Sequence, residues 1–137
     1  MAYWRLFYHL VWATFERMPV IDERVEKIIR GCFHSKAKEL GAWIHEIGAV
    51  EDHVYVVITI PPTKAIATVI GQLKGSSSHA VNATALLRGT QFRWQDGYGA
   101  LSIGERSLPA IIDYARRQKE PHAAKTIKPL LERMVES

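Results

Sequence analysis

The stretch "EDHVYVVITI", residues 51–60, decides how this chain folds. Read with period two, Val54, Val56, Ile58 and Ile60 point to one face of a strand, and His53, Tyr55, Val57 and Thr59 point to the other. The first face is uniformly branched aliphatic and is therefore the core face. The second opens with a histidine and a tyrosine side by side, which a strand that only fills a core does not require.

Working outward, "AWIHEIGAV" (residues 42–50) reads as a partner strand joined through a short turn at 50–52, so the two form a hairpin. Pro61 and Pro62 end the second strand. Upstream, alternation and a wealth of aromatic and branched residues predict a strand over 3–14. Pro19 marks a break, and Asp22 is an N-cap for a helix running to about Leu40. Glu23 and Glu26 stand in its first turn, where the helix dipole favours acids, and Gly41 closes it.

Downstream, Ile66, Val69, Ile70 and Leu73 have helical spacing. Gly71 and Gly75 weaken that helix, and Gly75 with Ser76, Ser77 and Ser78 is expected to interrupt it or to pack closely on something. "GYGALSIG" is a short fourth strand between glycines. Ser107 caps, and Pro109 begins, a helix over about 108–119, which Pro121 ends. A tail helix is expected over about 125–135. The order is β-α-β-β-α-β-α, the split βαβ or ferredoxin-like arrangement of an α+β fold. Two helices cover one face of an antiparallel sheet, and the face carrying His53 and Tyr55 is expected to be free.

A chain of 137 residues supports one domain spanning 1–137 with a single sizeable core. Its 47% apolar and 23% charged residues are ordinary for a globular protein and argue against disorder. Cys32 is the only cysteine, which excludes a disulfide framework and a thiolate-rich metal site and suits the cytoplasm. No segment has the length of a membrane span or the pattern of a signal peptide. The net charge of +4 is unevenly spread. Residues 1–60 carry seven Lys/Arg and eight Asp/Glu, whereas residues 61–137 carry eleven and six. Lys64, Lys74, Arg88 and Arg93 lie in a segment without an acid before Asp96, a bias that suits a phosphate-bearing partner as well as a solvated surface.

Several pieces together resemble the single-tyrosine HUH transposases of bacterial insertion sequences and their repeat-associated relatives. "DHVYVVI" is similar to their Asp-His-hydrophobic-His-aliphatic strand, and "HLVWATFERMPVI" to their first strand and the turn after it. "LKGSSSHAVN" resembles their second helix, "FRWQDGYGALSIG" their Phe-x-Trp-Gln-x-Gly-Tyr-Gly-Ala strand, and "IIDYARRQKEPH" their Tyr-x-x-x-Gln-x-x-x-His helix. The pieces occur in the family's order and cover most of the chain.

The resemblance implies an enzyme that cuts single-stranded DNA with a tyrosine, here Tyr114. It forms a 5′-phosphotyrosine link, leaves a free 3′-hydroxyl, and recognises DNA hairpins at an element's ends. It also implies a divalent metal, Mg2+ or Mn2+, held by two strand histidines and a glutamine. The matching residues are His53 and Gln118, with Tyr55 standing where the second histidine belongs. A neutral phenol is a weak ligand, so His45 or His122 comes into question as a substitute. A homodimer with shared active sites is a further implication, with no involvement of a membrane.

Elementary chemistry agrees with part of this. Residues 114 and 118 share one helix face, a turn apart. A phenol with a pKa of about 10 is a poor nucleophile at neutral pH unless a cation or base stabilises its anion. A metal would do so and would also polarise the phosphate. For DNA contacts the candidates are Lys74, Ser76, Ser77 and Arg88 from the second helix and its end, Arg93 after it, and Arg117 on the tyrosine helix. Trp94 is a candidate for stacking on an unpaired base. Taken singly, Tyr114 reads as a core aromatic, His53 as a structural histidine and Gln118 as a solvated helix residue. Three functions therefore stand: an active transposase, a family member that binds hairpin DNA without efficient cleavage, and a ferredoxin-like domain with an unrelated ligand.

Overall fold

The structure, a computed structural model, describes residues 2–118. The strands are β1 (Phe7–Ala13), β2 (Trp43–Val50), β3 (His53–Thr59) and β4 (Gly99–Ile103). The helices are α1 (Glu23–Glu39), α2 (Ile66–Asn82) and α3 (Leu108–Arg116). The strands form one sheet in the order β2-β3-β1-β4, with every neighbouring pair antiparallel. The fold is thus α+β. The tail helix expected over 125–135, together with Lys119 and His122, lies outside the described residues.

The alternation of residues 53–60 does what its pattern demands. Val54, Val56 and Ile58 are fully buried beneath α1 and α2, with Leu10 and Trp12 of β1, Ile47 and Ala49 of β2, and Ile29, Phe33, Val69 and Leu73 of the helices. The Asp22 carboxylate accepts the Val25 N–H at 2.9 Å and starts α1, and Gly41 at φ +72° follows its end in the left-handed region that glycine tolerates. Of the two alternatives for Gly75 to Ser78, interruption of α2 does not occur, and close packing is seen at Ser77. Val69, Ile70, Leu73, Ser77 and Val81 form one buried stripe. Gly71 and Gly75 fall on the exposed side, so the packing of that stripe carries the helix through them. The first strand is shorter than predicted, because both neighbouring strands stop opposite Phe7, at Thr59 and Ile103, and residues 3–6 have nothing to pair with.

The second face of the sheet is not free, contrary to the sequence expectation. Helix α3 lies across it, packing Ala115, Ile111, Ile112 and Leu108 against Val11, Tyr55 and Val57. Apolar Val11 and Val57 make that face partly hydrophobic, and burying it against a short amphipathic helix removes the area from water. Gly48 admits the helix: a Cβ there would lie 2.1 Å from the Ala115 carbonyl oxygen, so only a residue without a side chain allows this approach. Beside it, Arg116 of α3 pairs with Glu46 of β2 at 2.8 Å.

Candidate functional site

Tyr55 is the centre of the α3-covered face and is fully buried. Register places it between Val11 on β1 and Gly48 on β2. Three rings surround it: His53 at 5.0 Å between centroids, His9 at 5.4 Å and Tyr114 at 5.9 Å, the last edge-on at 85°. Tyr114 comes from α3 and is half-buried. The fold therefore brings His53, Tyr55 and Tyr114 together from residues 61 positions apart in sequence.

The polar atoms form a chain. The Nδ1–H of His53 donates to the Asp52 carboxylate at 2.6 Å, and the His53 Nε2 accepts the Tyr55 hydroxyl at 2.9 Å. This assignment follows from the partners: a carboxylate only accepts, so Nδ1 carries the proton, and a neutral ring then has an acceptor left for the phenol. Burial holds His53 below the ordinary imidazole value, opposed by the Asp52 carboxylate, in keeping with the neutral ring. Arg17 closes the chain at its outer end, with its Nε 3.2 Å from the second Asp52 oxygen.

Gln118 departs from the expected geometry. Helix α3 ends at Arg116, Arg117 is its C-cap, and Gln118 lies beyond it. Its side-chain amide donates to the Tyr114 carbonyl at 2.7 Å, and its Cγ rests near Gly48. It satisfies an orphan carbonyl at the helix end. His45 hydrogen-bonds with Thr59 Oγ1 at 2.7 Å and lies tilted against the Phe7 ring at 5.6 Å between centroids, so it too is engaged elsewhere.

A divalent cation does not fit these donors as they stand. Both His53 nitrogens are committed, Tyr55 offers a neutral phenol that already donates, and Gln118 is tied to the Tyr114 carbonyl through its amide N–H, so that its oxygen alone would have to hold the ion. No group of three or more His, Cys, Asp or Glu side chains among the described residues could hold a metal ion. Hard cations need several oxygen donors, and softer ones need free imidazoles or thiolates.

The expected DNA contacts divide. Ser77 is buried, donating to the Leu73 carbonyl at 2.7 Å and accepting the Trp94 indole N–H at 2.9 Å. Trp94, 9% exposed, packs edge-on against Trp12 and Phe92. Both belong to the core, so neither is placed to meet DNA. Lys74 is half-buried and donates to the carbonyls of Gln95 and Gly97, both at 2.9 Å, tying the loop before β4 to α2. Burial lowers its pKa. Ser76 bonds back to Leu73 of its own helix. Arg88 and Arg93 are exposed, Arg93 with its guanidinium 4.1 Å above the Phe15 ring. Arg117 is exposed and pairs with Asp113 at 3.4 Å.

Sequence reasoning missed Asp52, Arg17, His9 and Gly48. The Asp52 signal stood beside His53, and a glycine inside a strand was the signal for Gly48. His9 looked like any residue of an alternating strand. It is 1% exposed, both ring nitrogens lack a hydrogen-bond partner, and burial pushes its pKa down to about 4.

A four-stranded antiparallel sheet with a tyrosine-bearing helix laid over a His–Tyr face makes this a small α+β protein. The family described as "Transposase IS200 like" matches residues 2–118, and the chain belongs to that family. The ISDra2 transposase TnpA of Deinococcus radiodurans is 24% identical over 122 residues, covering 85% of this chain and 86% of its own. The transposase for insertion sequence element IS200 of Salmonella typhimurium is 25% identical over 122 residues, covering 85% and 79%. Among solved structures, a Deinococcus radiodurans protein assigned as a transposase superposes with a TM-score of 0.68 at 24% identity, covering 83% and 92% of the two chains. A REP-associated tyrosine transposase bound to a REP hairpin superposes with a TM-score of 0.63 at 14% identity, covering 84% and 70%. At these identities the structural likeness is one of fold. No helix among the described residues is long and apolar enough to cross a membrane.

Proposed function

We propose that this protein nicks and rejoins single-stranded DNA at hairpin ends, with Tyr114 as the nucleophile and a 5′-phosphotyrosine intermediate. One observation carries the reading. Tyr114 is half-buried on the helix that seals the second sheet face, its ring edge-on to a buried tyrosine that is hydrogen-bonded through His53 to Asp52. The packing of α3 thus brings a phenol against the Asp52–His53–Tyr55 chain, with the Tyr114 ring on Tyr55 and the His53 imidazole on the far side of that ring. The strand order and helix placement are read as ferredoxin-like, and a homodimer with shared sites is part of the proposal. Ser76, Arg88, Arg93 and Arg117 remain candidates for phosphate contacts. As the donors stand, no step runs through Mg2+ or Mn2+.

A second reading is favoured by a separate observation. Both nitrogens of His53 are engaged, so the cation site of the resemblance is closed, and a protein so built would bind hairpin DNA without efficient cleavage. Covalent capture decides between the two. Labelled single-stranded DNA with hairpins from the gene's own flanks is incubated with the protein and run on a denaturing gel. The nicking reading expects a protein–DNA adduct that Tyr114→Phe abolishes. Hairpin binding without any adduct would establish the second.

A further inference from the structure

The divalent cation that these donors do not fit has a counterpart in Arg17. It ends a turn, Phe15–Arg17, that leaves β1 in a costly conformation: Glu16 and Arg17 both have left-handed backbones, at φ 53° and 56°. Each such non-glycine residue costs on the order of 1–3 kcal/mol and persists only where the surroundings enforce it. Here they do. The Glu16 N–H donates to the Gln95 side chain at 3.0 Å, the Arg17 N–H to the Thr14 carbonyl at 3.0 Å, and the Thr14 hydroxyl to the Met18 carbonyl at 2.8 Å. The outcome is a guanidinium placed on Asp52, one residue from His53.

Its binding capacity is not exhausted there. The ion pair with Asp52 uses Nε, and 46% of the Arg17 side chain is open to solvent. A guanidinium carries five N–H groups in a planar fork that matches a phosphate, and its charge persists at any physiological pH. His53 behind it is only 15% exposed and already bonded on both sides. A phosphate approaching this end of the sheet therefore meets Arg17 first.

We propose that Arg17 binds a phosphate of single-stranded DNA at the Asp52–His53–Tyr55 site, supplying the positive charge in place of a divalent cation. Asp52 then has two tasks as a positioning residue: it fixes the His53 ring and holds Arg17 over it. DNA engagement at this site needs no metal. The proposal rests on the reading that this site handles single-stranded DNA, but not on cleavage by Tyr114.

The test is fluorescence anisotropy of a labelled oligothymidylate over a salt series, with EDTA or with Mn2+, for the wild type, Arg17→Gln and Arg17→Lys. Wild-type binding should be the same with EDTA and with Mn2+. Arg17→Gln should weaken it several-fold and lower the slope of log K against log salt by about 0.7, the contribution of one phosphate on a single strand. Arg17→Lys should restore the slope. Circular dichroism of each variant separates loss of charge from loss of fold. Manganese electron paramagnetic resonance adds a readout free of DNA, in which the wild type should leave the ion in solution. An unchanged slope in folded Arg17→Gln would overturn the proposal, as would bound Mn2+ that His53→Ala releases. Failure of the nicking reading looks different: no adduct at Tyr114, with the Arg17 slope effect intact.

Discussion

The two faces of the sheet are built from the same strands and treat water in opposite ways. Under α1 and α2 the side chains are hydrocarbon and aromatic, with Leu10, Val54, Val56, Ile58, Ile29 and Phe33 all completely buried. On the other face the same strands present His9, His53 and Tyr55 beside Val11 and Val57, and α3, a helix of nine residues, packs on Val11, Tyr55 and Val57. The first face stabilises chiefly by area, with the Ser77–Trp94 hydrogen bond inside it and the buried Trp12 indole N–H without a partner. The second holds polar groups that burial penalises unless they are paired, and it pairs some and not others. Tyr55 and His53 satisfy each other, whereas His9 has no partner. On the second face the cost falls on imidazoles, whose charge responds to pH.

The largest expected effect lies on the hydrocarbon face. Phe33→Ala removes a fully buried ring that packs on Trp12 at 5.6 Å between centroids. It should lower unfolding free energy by about 3–5 kcal/mol, read from urea denaturation. The adduct expected at Tyr114 under the proposed nicking should be unchanged wherever the variant is still folded. A variant that kept its stability and lost adduct formation would break the division of labour between the faces.

Acid should attack the other face. The His9 pKa is lowered from 6.5 to about 4, so the unfolded chain binds a proton that the folded chain refuses. Stability is then full above pH 6.5 and falls as pH drops toward 4, by an amount on the order of 3 kcal/mol. His53 and His45, also lowered by burial, act in the same direction. Thermal melts between pH 7 and pH 4 check this. His9→Leu should flatten the His9 part of the slope and leave that of the other two histidines. An unaltered slope would mean that His9 gains a partner in solution.

Most of the scaffold was legible in the sequence because its signals are local. The alternation of residues 54–60, the Asp22 cap, Gly41 and the glycines around β4 each act within a few residues of themselves. The site was legible in its residues and not in its connections. Asp52 and Arg17 are 35 positions apart, and nothing near either announces their ion pair. The continuity of α2 stood open in the sequence because propensity at Gly71 and Gly75 opposes the packing of Val69, Leu73 and Ser77, and the packing prevails. Trp94 and Ser77 read in sequence as candidates for DNA contact, but a buried indole N–H needs an acceptor, and Ser77 provides it 17 residues away. The free face was a wrong expectation for a similar reason: alternation tells which face is less apolar, but not that Gly48 lets a later helix cover it.

Gly48→Ala therefore tests the covering itself. The added methyl would overlap the Ala115 carbonyl, a backbone atom that cannot swing aside, so α3 must shift. Overpacking of this kind typically costs about 1–3 kcal/mol. Hydrogen exchange should quicken in α3 and barely change in α1. The Tyr114 adduct should fall even though every residue of the chain Arg17–Asp52–His53–Tyr55 is still present. Equal quickening in both helices would mean that the two faces do not open separately.

The smallest change asks most of the comparison. Tyr55→Phe keeps the ring that touches His9, His53 and Tyr114 and deletes one hydroxyl. On a face held by area alone, such a change would be close to neutral. Here it leaves the buried His53 Nε2 without its donor, a loss of about 1–2 kcal/mol in denaturant melts. It also returns a lone pair to the ring whose engagement closes the cation site. One freed imidazole nitrogen is still too few donors for a divalent ion, so Mn2+ should not bind to Tyr55→Phe. Tyr55→His, which adds a second imidazole, is the variant expected to gain it. If Tyr55→Phe binds Mn2+ as readily as Tyr55→His, the hydroxyl alone was excluding the ion. The polar face would then be a metal site held shut by a single hydrogen bond.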